Sequence, residues 1–240
     1  MKLAISEVFY SIQGEGKTTG VPSVFVRLGG CNLMCGGMGT QFDGELHNGA
    51  TWRCDTIEVW MKAQSKEYQD ILPDDCVQAL KNGAHLIITG GEPLMQSAGI
   101  EGFIEWCQTQ LNPSIFVEIE TNGTIIPSDK LKGLVGLWNC SPKLSNSGND
   151  KSIRINPLAL NELNKLNTQF KFVITTEDDF NEMADDYGFL SKDKIVLMPS
   201  GENQELLAQS KLVVVELAKK HYLNFTTRLH IELWNKKTGV

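Results

Sequence analysis

Long apolar runs are missing from this sequence. Nowhere do about 18 apolar residues follow one another, which excludes an α-helical membrane span. The N-terminus, Met1-Lys-Leu-Ala-Ile-Ser-Glu7, has no apolar h-region, so no signal peptide is expected. Basic stretches are also missing. Lys219-Lys220 and Lys236-Lys237 are isolated pairs, and the net charge of −7 argues against a protein held to nucleic acid by phosphates. There is no internal repeat and no low-complexity linker. Six cysteines without a secretory signal point to the cytoplasm, where thiols stay reduced and serve as metal ligands or buried apolar groups. The glycosylation patterns Asn122-Gly-Thr124 and Asn224-Phe-Thr226 carry no meaning in that setting.

With 240 residues, 41% of them hydrophobic, the chain can form one barrel-sized domain or two small ones. Short apolar, β-rich runs span residues 23–28, 85–89, 115–119, 134–140, 170–175, 195–198 and 226–233. Between them the patterns predict helices near 75–82, 99–111, 158–167, 178–187 and 202–221. In the last, apolar residues at 206, 207, 213, 214, 217 and 218 fit one helical face. Such alternation implies a parallel sheet in an α/β fold. A complete eight-stranded barrel takes ~250 residues. About six core parallel strands therefore predict a partial (β/α) TIM-type barrel, a single domain over residues 1–240. Polar motifs follow the strands: Thr89-Gly-Gly-Glu92-Pro93, Glu120-Thr-Asn-Gly123 and Ser141-Pro-Lys143. In parallel α/β folds that carboxyl-end rim carries the active site.

Three cysteines follow the first run. Cys31 and Cys35 form a C-x3-C pair, and Cys54 comes after a gap of 18 residues that holds five glycines and no proline. Three thiolates can hold three irons of a [4Fe–4S] cluster and leave the fourth open. Closing this long gap in place of a two-residue one costs roughly 2 kcal/mol by ideal-chain scaling, which cluster bonds tolerate. Cys76 and Cys107 fall in predicted helices and read as packed thiols. Cys140 ends a strand at the rim and rivals Cys54 as third ligand; the polar setting Cys54-Asp-Thr56 favours Cys54. A structural zinc site with His47 as fourth ligand is the chemical alternative. Gly16-Lys17-Thr18 matches the tail of a phosphate-binding loop, but that motif requires Gly where Ser11 stands.

Together these motifs resemble the radical S-adenosylmethionine enzymes and, within them, the 7-carboxy-7-deazaguanine synthases. The resemblance covers most of the chain. It rests on Gln13-Gly-Glu-Gly16, Phe25-Val-Arg27-Leu-Gly-Gly-Cys31, Cys54-Asp-Thr56, Thr89-Gly-Gly-Glu92-Pro93, Glu120-Thr-Asn-Gly123 and Ser141-Pro-Lys143. The family pattern is C-x3-C-x2-C, so the cluster loop near 31–56 carries an insertion near 36–53.

What the resemblance implies is specific. Cys31, Cys35 and Cys54 would bind the cluster, whose open iron would chelate S-adenosylmethionine. Gly91 and Glu92 would meet the methionine amino group. Ser141, Pro142 and Lys143 would contact the same cofactor, as would Met198, Pro199, Ser200 and Gly201, with Met198 through its backbone because the family usually has Gln there. Glu120 would touch the cofactor ribose, and Asn122-Gly123 could equally be a plain turn. Ile12, Gln13 and Gly14 would pair with the flat edge of a pterin. Glu15 would receive its donors, with a packing or capping role as the alternative. Arg27 would bind the substrate carboxylate as a planar fork, against a surface salt bridge. Thr89 would line the pocket, and Thr56 would give an oxygen to Mg²⁺ rather than only cap a helix. The implied reaction converts 6-carboxy-5,6,7,8-tetrahydropterin to 7-carboxy-7-deazaguanine and ammonia, in queuosine-type biosynthesis. It would involve a homodimer and an electron donor such as flavodoxin or ferredoxin. An activating enzyme for a glycyl-radical protein would share the cluster and the Gly-Gly-Glu-Pro motif but have no use for Gln13 and Arg27; a non-catalytic zinc module is a further alternative, which would stay colourless on anaerobic reconstitution.

Overall fold

The computed structural model describes residues 2–37, 45–237 and 239. Within them a nine-stranded sheet runs from end to end: β1 (Lys2–Ile12), β2 (Pro22–Leu28), β3 (Gln64–Glu67), β4 (His85–Gly90), β5 (Val117–Thr121), β6 (Leu137–Cys140), β7 (Thr168–Ile174), β8 (Ile195–Pro199) and β9 (Asn224–Phe225). The spatial order is β3-β1-β2-β4-β5-β6-β7-β8-β9. From β2 onward every pairing is parallel, whereas β1 lies antiparallel between β2 and β3. The six core strands β2 and β4–β8 match the expected partial barrel, and the sheet does not close.

The helices are α1 (Ile57–Trp60), α2 (Asp74–Lys81), α3 (Ser97–Gln110), α4 (Asp129–Leu134), α5 (Lys151–Arg154), α6 (Pro157–Lys165), α7 (Glu177–Tyr187), α8 (Gln204–His221) and α9 (Leu229–Trp234). The longer ones begin where the sequence supplies caps. Asn156 Oδ1 accepts from the N–H groups of Leu158 and Ala159, with Pro157 opening α6. Thr176 and Asp179 form a reciprocal capping box on α7.

The hydrophobic core lies between one face of the sheet and these helices. Val24, Val26, Leu86, Ile88, Ile119, Trp138, Phe170 and Phe172 point into it, against Leu80, Phe103, Leu163, Met183 and Val214 of the helices. Cys76 and Cys107 are fully buried there, and burial pushes both thiols up to about 12. The alternate residues form the other face. It carries Arg27, Thr89, Glu118, Glu120, Asn139, Gln169 and Lys171 among apolar residues such as Phe25 and Val173.

Three sequence expectations need correcting. The run at 226–233 is not a strand: β9 is two residues long, and Leu229–Trp234 is helical. Leu229, Ile231 and Leu233 alternate as strand residues would, but only Ile231 is buried, and the Arg228 carbonyl accepts helical bonds from Ile231 and Glu232. On α8 the predicted apolar face splits. Leu207, Val214, Leu217 and Ala218 are buried, whereas Leu206 and Val213 are exposed beside the cleft described next. Finally, β1 and β3 are strands that the apolar-run reading did not find. The four residues of β3, Gln-Ser-Lys-Glu, contain no apolar side chain.

Candidate active site

A cleft of about 1220 Å³ opens at the carboxyl ends of the core strands, over that second face. The sequence-predicted residues Ile12, Gln13, Gly14, Glu15, Arg27, Thr89, Gly91, Glu120, Ser141, Lys143, Met198, Pro199, Ser200 and Gly201 all line it, together with Cys31, Cys35, Cys54 and Thr56. Glu92 and Pro142 do not.

The three cysteines converge although their sequence spacing is wide. The Cys35 carbonyl accepts from the Cys54 N–H at 3.1 Å, which sets the third cysteine beside the second. The described part of the insertion is docked on the loop after β6. Gly36 N–H donates to the Ser147 carbonyl at 2.9 Å, Thr51 N–H to the Asn146 carbonyl at 2.9 Å, and Trp52 Nε1–H to Asn146 Oδ1 at 3.0 Å. Inside the insertion, His47 N–H donates to the Gly36 carbonyl at 3.1 Å. A Cβ on Gly37 (φ +90°) would meet the His47 ring at 2.6 Å, so a side chain is excluded there on two grounds. Residues 38–44 of the insertion lie outside the described residues. Cys140, the rival third ligand, is fully buried in the core and faces Gly123, not the cleft. His47 does not line the cleft either.

The thiols have donors aimed at them. Leu33 N–H approaches Cys31 Sγ at 3.4 Å, and Asn149 Nδ2 approaches Cys35 Sγ at 3.4 Å. Burial pushes the Cys31 thiol up to about 11, with Glu92 and the other two cysteines adding to it, and burial raises Cys35 as well. Such a site disfavours bare thiolates and suits thiolates neutralised by metal, with N–H groups bonded to sulfur. Among the described residues no three cysteine, histidine or carboxylate side chains are already drawn together around one point. The three cysteines line the same cleft as an unclosed set. Thr56 precedes α1, but its hydroxyl makes no capping bond and lies 3.5 Å from Cys54 Sγ.

Glu92 stands behind the wall. It is wholly buried, and its carboxylate accepts from Leu94 N–H (3.0 Å), Asn122 N–H (2.7 Å) and the Thr121 hydroxyl (2.9 and 3.0 Å). These partners place the carboxylate behind Gly91, off the cleft lining. Gly91 keeps its place at the surface because a Cβ would collide with the Gly30 carbonyl next to Cys31. Asn122 links the rim to the cysteine loop through Asn32 Oδ1 at 2.9 Å.

Arg27 points into the cleft, and its Nε donates to Glu7 Oε1 at 2.6 Å. The inward charge does have a partner, and it comes from β1. Gln13 Oε1 accepts from the N–H groups of Gly14 and Glu15, and its Nε2 donates to Glu120 Oε1 at 3.2 Å. Lys143 Nζ bonds Ser141 Oγ at 3.0 Å and sits 5.7 Å above the Trp52 ring.

Two charged residues went unnoticed in the sequence. Lys171 Nζ donates to Glu15 Oε2 and Glu120 Oε2, both at 2.9 Å. Arg228 donates from Nε to Glu15 Oε1 at 3.0 Å, from Nη1 to the Gly201 carbonyl at 2.8 Å and from Nη2 to Asp55 Oδ2 at 2.8 Å. Burial alone would raise the Glu15 carboxyl, but Lys171 and Arg228 outweigh it and hold it well below the usual range. Glu120 is pushed up, by burial first and then by the charge of Glu15, despite Lys171. The signal for Lys171 was present as strict alternation in Thr-Gln-Phe-Lys-Phe. Nothing local marks Arg228.

A cleft at the carboxyl rim, with three convergent thiols on one wall and paired acids with arginine on another, matches known proteins along the whole chain. The chain is 32% identical to 7-carboxy-7-deazaguanine synthase from Halobacterium salinarum, covering 97% of this chain and 91% of that one. The chain belongs to the 7-carboxy-7-deazaguanine synthase family. The synthase from Pyrobaculum aerophilum is 31% identical over 99% of this chain and 97% of its own. In fold, the chain is similar to the crystal structure of QueE from Escherichia coli, with a TM-score of 0.65, 22% identity and coverage of 96% and 95%. No protein-family model matches the chain. Among the described residues no helix is long and apolar enough to cross a membrane.

Proposed function

We propose that this chain is a radical S-adenosylmethionine lyase, acting as one domain, that converts 6-carboxy-5,6,7,8-tetrahydropterin to 7-carboxy-7-deazaguanine and ammonia in queuosine-type biosynthesis. The observation that carries this reading is the convergence on one cleft of the three cysteines with Arg27, Thr89 and the 12–15 segment, in a chain of this family. Cys31, Cys35 and Cys54 hold the [4Fe–4S] cluster, and Thr56 offers its hydroxyl to Mg²⁺. When bound, cluster and S-adenosylmethionine supply one-electron, hydrogen-abstracting chemistry that no side chain here can provide.

The residues of the chain bind and orient. Arg27, tethered through Nε to Glu7, keeps both Nη groups for the substrate carboxylate. Ile12, Gln13 and Gly14 line the pterin edge, held there by the bonds of the Gln13 amide to Gly14, Glu15 and Glu120, and the carboxylates of Glu15 and Glu120 accept from the pterin. Ser141, Lys143 and the Met198–Gly201 turn form the wall for S-adenosylmethionine. Glu92 acts from behind, holding Thr121 and Asn122 in place under Gly91. The protein works in the cytoplasm as a homodimer, reduced by a flavodoxin or ferredoxin.

The test is anaerobic turnover of the carboxypterin with S-adenosylmethionine, reductant and Mg²⁺, read by product mass. A product lighter by one ammonia is expected; iron-loaded protein that leaves the pterin unchanged would overturn the reading. Arg27→Ala should still bind S-adenosylmethionine while losing about 10- to 100-fold in affinity for the carboxypterin, the worth of one charge-assisted bond. Unaltered pterin binding by that variant would remove Arg27 from the site.

A further inference from the structure

Lys171 takes no part in the roles above, yet it is the most deeply buried cation beside the cleft, with only 1% of its side chain exposed. It lies behind the wall, whereas the two carboxylates it bridges, Glu15 and Glu120, are at the surface of the cleft. Glu15 comes from the loop after β1 and Glu120 from β5, so one ammonium ties two distant segments together.

The bonding is evenly distributed. Glu15 Oε1 accepts from Arg228 and Oε2 from Lys171; Glu120 Oε1 accepts from Gln13 and Oε2 from Lys171. A carboxylate oxygen has two acceptor directions, so each of the four keeps one in reserve. We propose that Lys171 is a positioning residue for substrate recognition, holding Glu15 and Glu120 ionised and side by side as acceptors for the N–H-rich edge of a 2-amino-4-oxopyrimidine ring. This inference rests on the pterin reading of the cleft and adds the group that makes its acceptor pair possible.

The other charges around the pair explain why Lys171 is needed. Glu15 also faces Arg228, His230 and, beyond Arg228, Asp55. Glu120 faces Glu15, and Glu118 on its own strand, with Lys171 as the cation that opposes them; the Cys140 thiol on β6 senses it too. Without Lys171, Glu15 keeps Arg228, whereas Glu120 keeps only neutral Gln13 and two nearby carboxylates. Glu120 would then take up a proton, and one of its acceptor oxygens would become a donor that repels a ring N–H.

The experiment measures binding of 6-carboxytetrahydropterin to the reconstituted holoenzyme by calorimetry across neutral to alkaline pH. Lys171→Met should bind about 10- to 100-fold more weakly at neutral pH, the loss of one charge-assisted hydrogen bond. Its binding should recover as rising pH ionises Glu120. Lys171→Met/Glu120→Gln should bind weakly with no recovery, because the group that titrates is gone. Unaltered binding by Lys171→Met, a loss that ignores pH, or recovery in the double variant would each overturn the proposal. If Lys171→Met does not fold, the double variant is compared with Glu120→Gln alone. Equal binding is expected, and a further full loss on removing the lysine would overturn it. Failure of the unaltered protein to bind the pterin would instead sink the functional reading.

Discussion

Single side chains decide which groups belong to the cleft and which only support it. Cys54 is hydrogen-bonded to Cys35 at the cleft, while Cys140 is sealed in the core. Cys54→Ala should therefore abolish iron retention on anaerobic reconstitution, and Cys140→Ala should retain it, as read by iron and sulfide content. Glu92 has a structural task beside the ligand contact its motif suggests. Its buried carboxylate satisfies two backbone N–H groups and a hydroxyl. Glu92→Ala should cost about 3–5 kcal/mol in urea unfolding, because it leaves buried donors without an acceptor. Residues in short motifs at strand ends were legible in the sequence because the motif fixes both type and place. Arg228 was not. Its meaning comes from Glu15, Asp55 and Gly201, which are brought to it only by the fold.

Among the elements, the core strands and the five longest helices were readable from apolar spacing, within two or three residues at their ends. What the same spacing hid was the set of polar residues on the other face of the sheet. In β5 the sequence Val-Glu-Ile-Glu-Thr gives the helices Val117 and Ile119 and gives the opposite face Glu118 and Glu120, of which Glu120 lines the cleft. A search for apolar runs keeps the first set and discards the second. The insertion is likewise an element with a task. Trp52, Thr51 and Gly36 fasten it to the loop at residues 146–147, so that Cys54 arrives beside Cys35. Trp52→Ala removes the indole bond to Asn146 and the ring under Lys143. Amide exchange at Thr51 and Cys54 should accelerate by tenfold or more, the worth of about one hydrogen bond plus ring packing. Unchanged exchange there would show that the backbone bonds alone hold the insertion.

At the scale of the whole molecule, the sheet separates two chemistries: an apolar core under the helices and a charged interior under the cleft. That division gives stability a pH dependence. The Glu15 carboxyl is held below its usual range, so its contribution is complete above the unfolded value, about pH 4.5, and is lost as pH falls further toward the folded one. Glu120 and Glu92, pushed up mainly by burial, act with the opposite sign and are relieved by protonation. Urea unfolding should show stability falling below about pH 4.5. Glu15→Gln should flatten that fall while lowering stability near neutrality. An unaltered acid slope in the variant would show that Glu15 carries none of it.

The bond from His47 to the Gly36 carbonyl has a consequence for how such chains are recognised. It holds residues 36 and 47 together, so the count of residues between them does not set the distance from Cys35 to Cys54. Length gained or lost between these two residues leaves the third thiol where it is. A cysteine motif written as a count of intervening residues measures distance along the chain, whereas a metal responds to distance through space. Where a hydrogen bond joins two residues far apart in that count, the two measures part company. Chains whose loops differ in length can then share one site, and a fixed-spacing pattern would overlook some of them.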